Sequence, residues 1–290
     1  MFVIFSGGGE PLLRKDDLIE LMKYSHQLGF VTKLTSNGVM IDQRLAVELL
    51  NTQVNSISIS LDGIKEETHD FIRGGKGIYK KTIRGIKYLQ EAKRAMDFKT
   101  KIYIKTVLNR FNIEEIIKLV NYVQQENLDG IGILPLAFQM DLGILNTFRK
   151  NGLWISRDDR NLLKSTIYKL IQLKMKGVKI LNPINQLRLF EKYYLDPLSF
   201  YNSFNKIGCI PKRLTIYSDG DISLCSIIGP IIGNVTRQSF YEIWKSKVTK
   251  IVRRRIRNCP HRCLVNCVYE ASLFEKIRKG IKLLINDSIE

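Results

Sequence analysis

Short apolar runs alternate with longer amphipathic stretches through the first 136 residues. Phe2–Phe5 reads as a strand that runs into the glycine-rich Ser6-Gly7-Gly8-Gly9-Glu10-Pro11. Helical spacing follows over 12–28, with Pro11 at a favoured first-turn position, Asp16 and Asp17 near the start and Gly29 at the end. Residues 31–35 predict a second strand, closed by the turn signal Ser36-Asn37-Gly38. A helix is expected over 42–51. A third strand is expected over 54–61, where Ile57 and Ile59 alternate with Ser58 and Ser60. The pattern then predicts a helix over 78–96, a strand over 101–108, a helix over 113–125 opened by Asn112, and a strand over 130–136. Residues 137–156 show no period. A helix is predicted over 158–175, with weaker structure to about 207.

Five strands separated by four helices, repeating about every 25–30 residues, have the spacing of βαβ units and imply a parallel sheet. The fold class is α/β, either an open doubly wound sheet or a β/α barrel. In both, active groups gather at the C-terminal ends of the strands. Gly8-Gly9-Glu10, Ser36-Asn37-Gly38 and Ser60-Leu61-Asp62-Gly63 all lie at such ends and should share one rim. From Gly208 the texture changes to cysteine-bearing hairpins and basic helices. The boundary is placed between 180 and 208, giving a core over 1–180 and a linker plus Cys-rich extension over 181–290.

Composition narrows the class. Apolar residues make up 44% of the 290, enough to bury a sizeable core, which excludes disorder as the dominant state. No uncharged apolar run is long enough to span a membrane, and Phe2–Phe5 is too short for a secretory signal, so the expected location is cytoplasmic. Three histidines are too few to suggest a multi-histidine metal site. The five cysteines all fall between Cys209 and Cys267, which reads as metal binding rather than a disulfide framework. A hairpin around Ser218-Asp219-Gly220-Asp221 would let Cys209 and Cys225 converge. Cys259, Cys263 and Cys267 repeat every four residues, on one helix face. Such thiolates suit zinc or a cubane iron–sulfur cluster, and the thiols alone leave the choice open.

The net charge of +18 predicts attraction to anions. Its densest run is Lys245, Lys247, Lys250, Arg253, Arg254, Arg255, Arg257 and Arg262, a solvated face or a docking surface for an acidic partner or nucleic acid. Interleaved aromatics are few there, so only weak, sequence-blind nucleic-acid binding is expected. In the first half, Gly7-Gly8-Gly9-Glu10-Pro11 permits close backbone approach of a ligand, yet it matches neither a P-loop nor a dinucleotide loop. Ser60 and Asp62 could hold sugar hydroxyls, and Arg73 could grip a carboxylate. His69 reads as a polar residue at a helix start.

Gly8-Gly9-Glu10 after a strand, then Ser36-Asn37-Gly38, then Ser60-Leu61-Asp62-Gly63 with His69-Asp70 and Arg73, resembles the radical S-adenosylmethionine (SAM) superfamily. Cys209-x10-Gly220-x4-Cys225, Ile232-Gly233-Asn234-Val235, Phe240-Tyr241-Glu242-Ile243-Trp244 and the cysteine triplet resemble its SPASM or twitch extension. The resemblance implies a partial (β/α)6 barrel with a small C-terminal Cys-rich extension. It implies that Gly8, Gly9 and Glu10 contact the SAM amino group, that Ser36 and Asn37 line the SAM pocket, that Ser60 faces the ribose with Asp62 beside it, and that Arg73 holds the carboxylate. Cys209, Cys225, Cys259, Cys263 and Cys267 would serve one auxiliary 4Fe–4S cluster with a spare thiol. The implied chemistry is reductive cleavage of SAM and hydrogen abstraction from a peptide, a protein or a cofactor precursor, with an electron donor as partner.

One departure is large. The family holds its SAM cluster with C-x3-C-x2-C upstream of Gly-Gly-Glu, and these 290 residues contain no such motif. The expectation is a barrel missing its first βα unit and inactive as it stands, with the SAM-binding cluster present only in a longer form. An upstream frame should supply a strand, the cysteine loop and a helix. The rival readings are a non-enzymatic iron–sulfur module for partner binding or electron relay, and a zinc-stabilised nucleic-acid binder.

Overall fold

The computed structural model describes residues 1–7, 9–136, 152–202, 214–225, 229–259 and Leu264. Its larger sheet has five parallel strands in chain order: β1 (Phe2–Phe5), β2 (Val31–Ser36), β3 (Ser56–Ser60), β4 (Lys101–Leu108) and β5 (Gly130–Pro135). After Pro11–Arg14, a 3-10 turn, come the helices α1 (Lys15–Gln27), α2 (Gln43–Asn51), α3 (Glu66–Arg73), α4 (Ile78–Ala95) and α5 (Ile116–Gln125). Strands in consecutive order with right-handed crossovers put the connecting helices on one face of the sheet. That face is apolar. Leu34, Ile57, Ile59, Ile102, Ile104, Ile131 and Ile133 join Leu45, Leu49, Ile86, Leu89, Leu119 and Val120 in one buried core. Each such side chain contributes about 1.5–3 kcal/mol on burial. The other face is half-open, as the alternating burial along β4 shows.

α6 (Arg160–Met175) leads back to the sheet, where Ile180 bridges Ile131 in parallel. Asn182 continues the pairing with its side chain. Its Oδ1 accepts from the Ile133 amide at 2.7 Å and its Nδ2 donates to the Ile133 carbonyl at 2.6 Å. The sheet is thus an open arc of five strands plus one parallel bridge, with no closed barrel among the described residues. The opposite edge, β1, pairs only with β2 among the described residues and leaves Phe2 and Ile4 exposed.

The region expected to be weakly structured holds two helices, α7 (Ile184–Leu195) and α8 (Pro197–Asn202). Leu187, Phe190, Tyr194 and Phe200 enter the large core, and the Tyr194 hydroxyl donates to the Leu108 carbonyl at 2.5 Å. A second, antiparallel sheet follows: β6 (Thr215–Ile216), β7 (Asp221–Ser223) and β8 (Ile231–Asn234). Then come α9 (Phe240–Lys245), opened by a capping box between Ser239 and Glu242, and α10 (Lys247–Arg257). Ile222, Leu224, Ile232, Ile243, Val252 and Ile256 form a separate small core there, with Cys225 and Trp244 against it. No helix among the described residues is long and apolar enough to cross a membrane.

Candidate functional site

Parallel pairing carries the loops after β1, β2 and β3 to one edge of the sheet. Glu10 fastens the first two together. Its Oε1 accepts from the Ser36 hydroxyl at 2.7 Å and from the Leu12 amide at 3.2 Å, and its Oε2 accepts from the Asn37 amide at 2.7 Å. Ser36 is buried and its Oγ also accepts from the Gly38 amide at 3.0 Å. Asn37 closes its own turn through Oδ1 and the Val39 amide at 2.9 Å, while its carbonyl accepts from Thr82 on α4 at 2.9 Å. Gly38 sits at φ +77, which favours glycine, and an added Cβ would press on the Ile59 side chain at 3.0 Å. At Gly9 an added Cβ would meet nothing within 4 Å, so the loop leaves open space beside an exposed backbone. Gly8 lies outside the described residues.

The third loop is built differently. The Asp62 carboxylate points into the protein. Its Oδ1 accepts from the Val107 amide at 2.7 Å and from Thr106 at 3.2 Å, and its Oδ2 pairs with Arg73 Nη2 at 2.6 Å. Its amide donates to His69 Nδ1 at 3.0 Å, and its carbonyl accepts from Asn112 at 2.8 Å. Glu115 holds the chain just beyond, accepting from the Ile64 amide at 2.7 Å, the Lys65 amide at 3.1 Å and the Thr68 hydroxyl at 2.6 Å. Asp62 and Arg73 therefore form a joint between β3, β4 and α3. Ser60 is half-buried at the end of β3, in register with Lys105, whose Nζ donates to Thr35 on β2 at 2.9 Å. Sequence reasoning missed Asn112 as an anchor, along with Glu115 and Lys105. Only their polar character in otherwise apolar stretches could have marked them.

His69 is buried within α3, not at a helix start. The helix is polar and short, and its fourth residue turns inward because the Asp62 amide needs an acceptor. With Nδ1 accepting, Nε2 carries the proton, and it is buried without a partner among the described residues, as is Arg73 Nε. Burial holds the imidazole below its ordinary value, with Arg73 pushing the same way and Asp62 opposing. The unfolded chain then takes up a proton, near about pH 6.5, that the folded one refuses. Stability should fall as pH drops through that window. Urea midpoints should decline more between pH 7.5 and 5.5 for the wild type than for His69→Asn, which keeps an acceptor for the Asp62 amide. Equal declines would show that His69 is not the group concerned.

Buried N–H groups with no acceptor among the described residues, His69 Nε2 and Arg73 Nε, fit a ligand that brings a carboxylate to the end of β3. In the second unit, Cys225 and Cys259 are half-buried free thiols, and Cys259 follows directly on α10, its amide donating to the Ile256 carbonyl at 3.2 Å. Cys209, Cys263 and Cys267 lie outside the described residues. No group of three or more metal-ligating side chains occurs among the described residues. The sequence's soft, all-thiol donor set fits an iron–sulfur cluster.

Two family models match this chain. That of the radical SAM superfamily covers residues 2–123, and that of an iron–sulfur cluster-binding domain, SPASM, covers 209–268. Over these two stretches the chain carries a radical SAM domain and a SPASM domain. Its pair of domains implies SAM and 4Fe–4S clusters as cofactors, which sets iron above zinc for the thiols. Among curated proteins it is 32% identical to an Fe-coproporphyrin III synthase of Methanosarcina barkeri, over 47% of this chain and 32% of the relative. It is 25% identical to an AdoMet-dependent heme synthase of the same organism, over 84% of this chain and 68% of the relative. The chain thus spans about a third of the first relative and about two thirds of the second. A solved structure described as native anSMEcpe with bound AdoMet and Kp18Cys peptide shares the fold, with a TM-score of 0.60 at 18% identity over 86% of this chain and 68% of that one.

Proposed function

We propose that this chain is the SAM-binding and auxiliary-cluster portion of a radical SAM enzyme of the SPASM type. Its reaction would be hydrogen abstraction from a peptide, a protein or a cofactor precursor, in the cytoplasm. The observation that carries the reading is the Glu10 carboxylate tying the glycine loop to Ser36 and Asn37 at the strand ends, with open space left over Gly9. In the family, SAM and its cluster supply one-electron reductive cleavage to a carbon radical. The chain's own residues would hold the ligand. The backbone of Gly8 and Gly9, with Glu10 behind it, would receive the amino group. Ser36 and Asn37 would shape the pocket, Ser60 would meet the ribose, and Arg73 would offer its unpartnered Nε–H to the carboxylate. Asp62 would act through Arg73, fixing the guanidinium rather than touching the ligand.

The core over 1–180 would carry this chemistry, and the extension over 181–290 the auxiliary cluster. Anaerobic reconstitution of the 290 residues should give one cluster, about four iron per chain. Replacing Cys209 and Cys225 together by alanine should abolish it. A chain that holds stoichiometric zinc and rejects iron would overturn the assignment.

A further inference from the structure

We propose that the outward face of α9 and α10 is a docking surface for an anionic membrane, which it meets from the water side through lipid phosphates. Across 240–257 stand Lys245, Lys247, Lys250, Arg253, Arg254, Arg255 and Arg257, against the single carboxylate of Glu242. That carboxylate is engaged at the start of α9, accepting from the Ser239 amide at 2.9 Å and hydroxyl at 2.8 Å. Among the described residues none of the seven cations forms an ion pair. The proposal needs neither SAM nor iron.

Charge alone would make a solvated face. Apolar groups set among the cations make this one a surface for lipid. α10 spends its inner stripe, Thr249, Val252 and Ile256, on the small core. Its other side exposes Val248 and Ile251. Ile251 stands one turn from both Lys247 and Arg255, so cations flank it in both directions along the helix. α9 adds Phe240 and Tyr241 at its first turn, the latter 70% exposed. Lys245 reaches back over Tyr241, its Nζ 5.6 Å from the ring centroid. Phe240 stacks on Trp244 with centroids 5.5 Å apart, and Arg253 lies 3.7 Å from the same indole, which ties the exposed ring of α9 to the cations of α10. Aromatic rings and aliphatic side chains among lysines and arginines suit the boundary of an anionic bilayer. The rings sit at headgroup level and the cations meet the phosphates.

Two other anionic partners fit less well. The centres of protein interfaces are depleted of charge, whereas Lys247 and Arg254 lie opposite the buried stripe, in the middle of this face. A folded protein would have to bring a fixed carboxylate to each. Lipid phosphates move in the plane of the bilayer and gather wherever cations stand. A nucleic acid would leave Val248 and Ile251 without a role, since aliphatic side chains give bases no ring to stack on. Because the inner stripe is committed to the small core, α10 lies on the bilayer and does not sink into it. Attachment is therefore reversible and weakened by salt.

The test is sedimentation of the full 290-residue chain with vesicles of phosphatidylcholine, with or without phosphatidylglycerol. Binding is expected only to the vesicles that contain phosphatidylglycerol. Lys247→Glu, Arg254→Glu and Arg255→Glu together should weaken it about thirtyfold or more at low salt. Lys118→Glu, Lys169→Glu and Lys176→Glu, the same charge change on other exposed positions, should cost less than about threefold. Val248→Ser with Ile251→Ser keeps every charge. It should cost about tenfold on vesicles and nothing on a single-stranded oligonucleotide or on polyglutamate. Both positions are exposed, so this pair decides the matter even where the glutamate triple fails to fold. Equal losses in both triples, equal binding to neutral vesicles, or a serine pair that binds as the wild type does would overturn the proposal. So would tighter capture of the oligonucleotide or of polyglutamate than of the vesicles through the same three cations.

Discussion

Reconstituted with iron and sulfide and given SAM and a strong reductant, the 290 residues on their own should form no 5′-deoxyadenosine above background. The expectation rests on the thiols available. All five cysteines lie between 209 and 267, inside the stretch matched by the cluster-binding domain at 209–268. Of the two described, Cys225 packs against the small second core and Cys259 follows α10. A preceding segment with a strand and a C-x3-C-x2-C loop, its last cysteine about 25–45 residues before Gly8, would place thiolates beside that rim by one βα repeat. Joined to this chain, it should raise 5′-deoxyadenosine at least about a hundredfold and add a second cluster's iron. It should also improve solubility, since β1 pairs only with β2 among the described residues and exposes Phe2 and Ile4 along its edge. Liquid chromatography of quenched reactions reads the product directly. Turnover amounts from the 290 residues alone would refute this account of the cysteines.

The second large effect concerns stability. Asp62→Ala should cost about 3–5 kcal/mol, because it leaves the Arg73 cation partly buried and unpaired and removes the acceptor for the Val107 amide. Asp62→Asn should cost less, since an amide oxygen can still accept from Val107. Adding Arg73→Leu to Asp62→Ala should recover part of the loss, as expected when two mutations share one interaction. The exposed pair Arg14–Asp17, with side chains 77% and 56% accessible, gives the scale for an unimportant bridge, about 0–1 kcal/mol. Urea denaturation of these three variants and of Asp17→Ala decides the matter. A loss at Asp62 no greater than at Asp17 would mean that the joint between β3, β4 and α3 carries no weight.

Much of the sheet was legible because strand and helix periods differ plainly along this chain. Phe2–Phe5 and Lys101–Leu108 have the bounds the alternation predicts, and the shared rim follows from parallel βαβ spacing alone. α3 was not legible, because Glu66–Arg73 has almost no apolar stripe. It is held by polar anchors, and Glu115 contacts Ile64 from 51 positions away, a separation no local window spans. α7 did leave a trace in the spacing of Leu187, Phe190 and Tyr194, which the surrounding polar residues diluted. Within the site, the sequence marked Glu10, Ser36 and Asn37 as neighbours. It could not show that the Glu10 carboxylate is spent on the other two, since that depends on a contact across 26 positions.

Leu264 gives the two units a shared fate. It lies between Cys263 and Cys267 in sequence, is 1% exposed in the large core, and its carbonyl accepts from Gln186 Nε2 at 3.0 Å. A peptide pinned at that point cannot rearrange around its flanking thiols without disturbing α7. Whatever those thiols bind must therefore draw on the same folding free energy as the sheet. In a calorimeter the chain should melt as one cooperative unit whose midpoint climbs with iron loading, and a chelator should lower the melting of the parallel sheet itself.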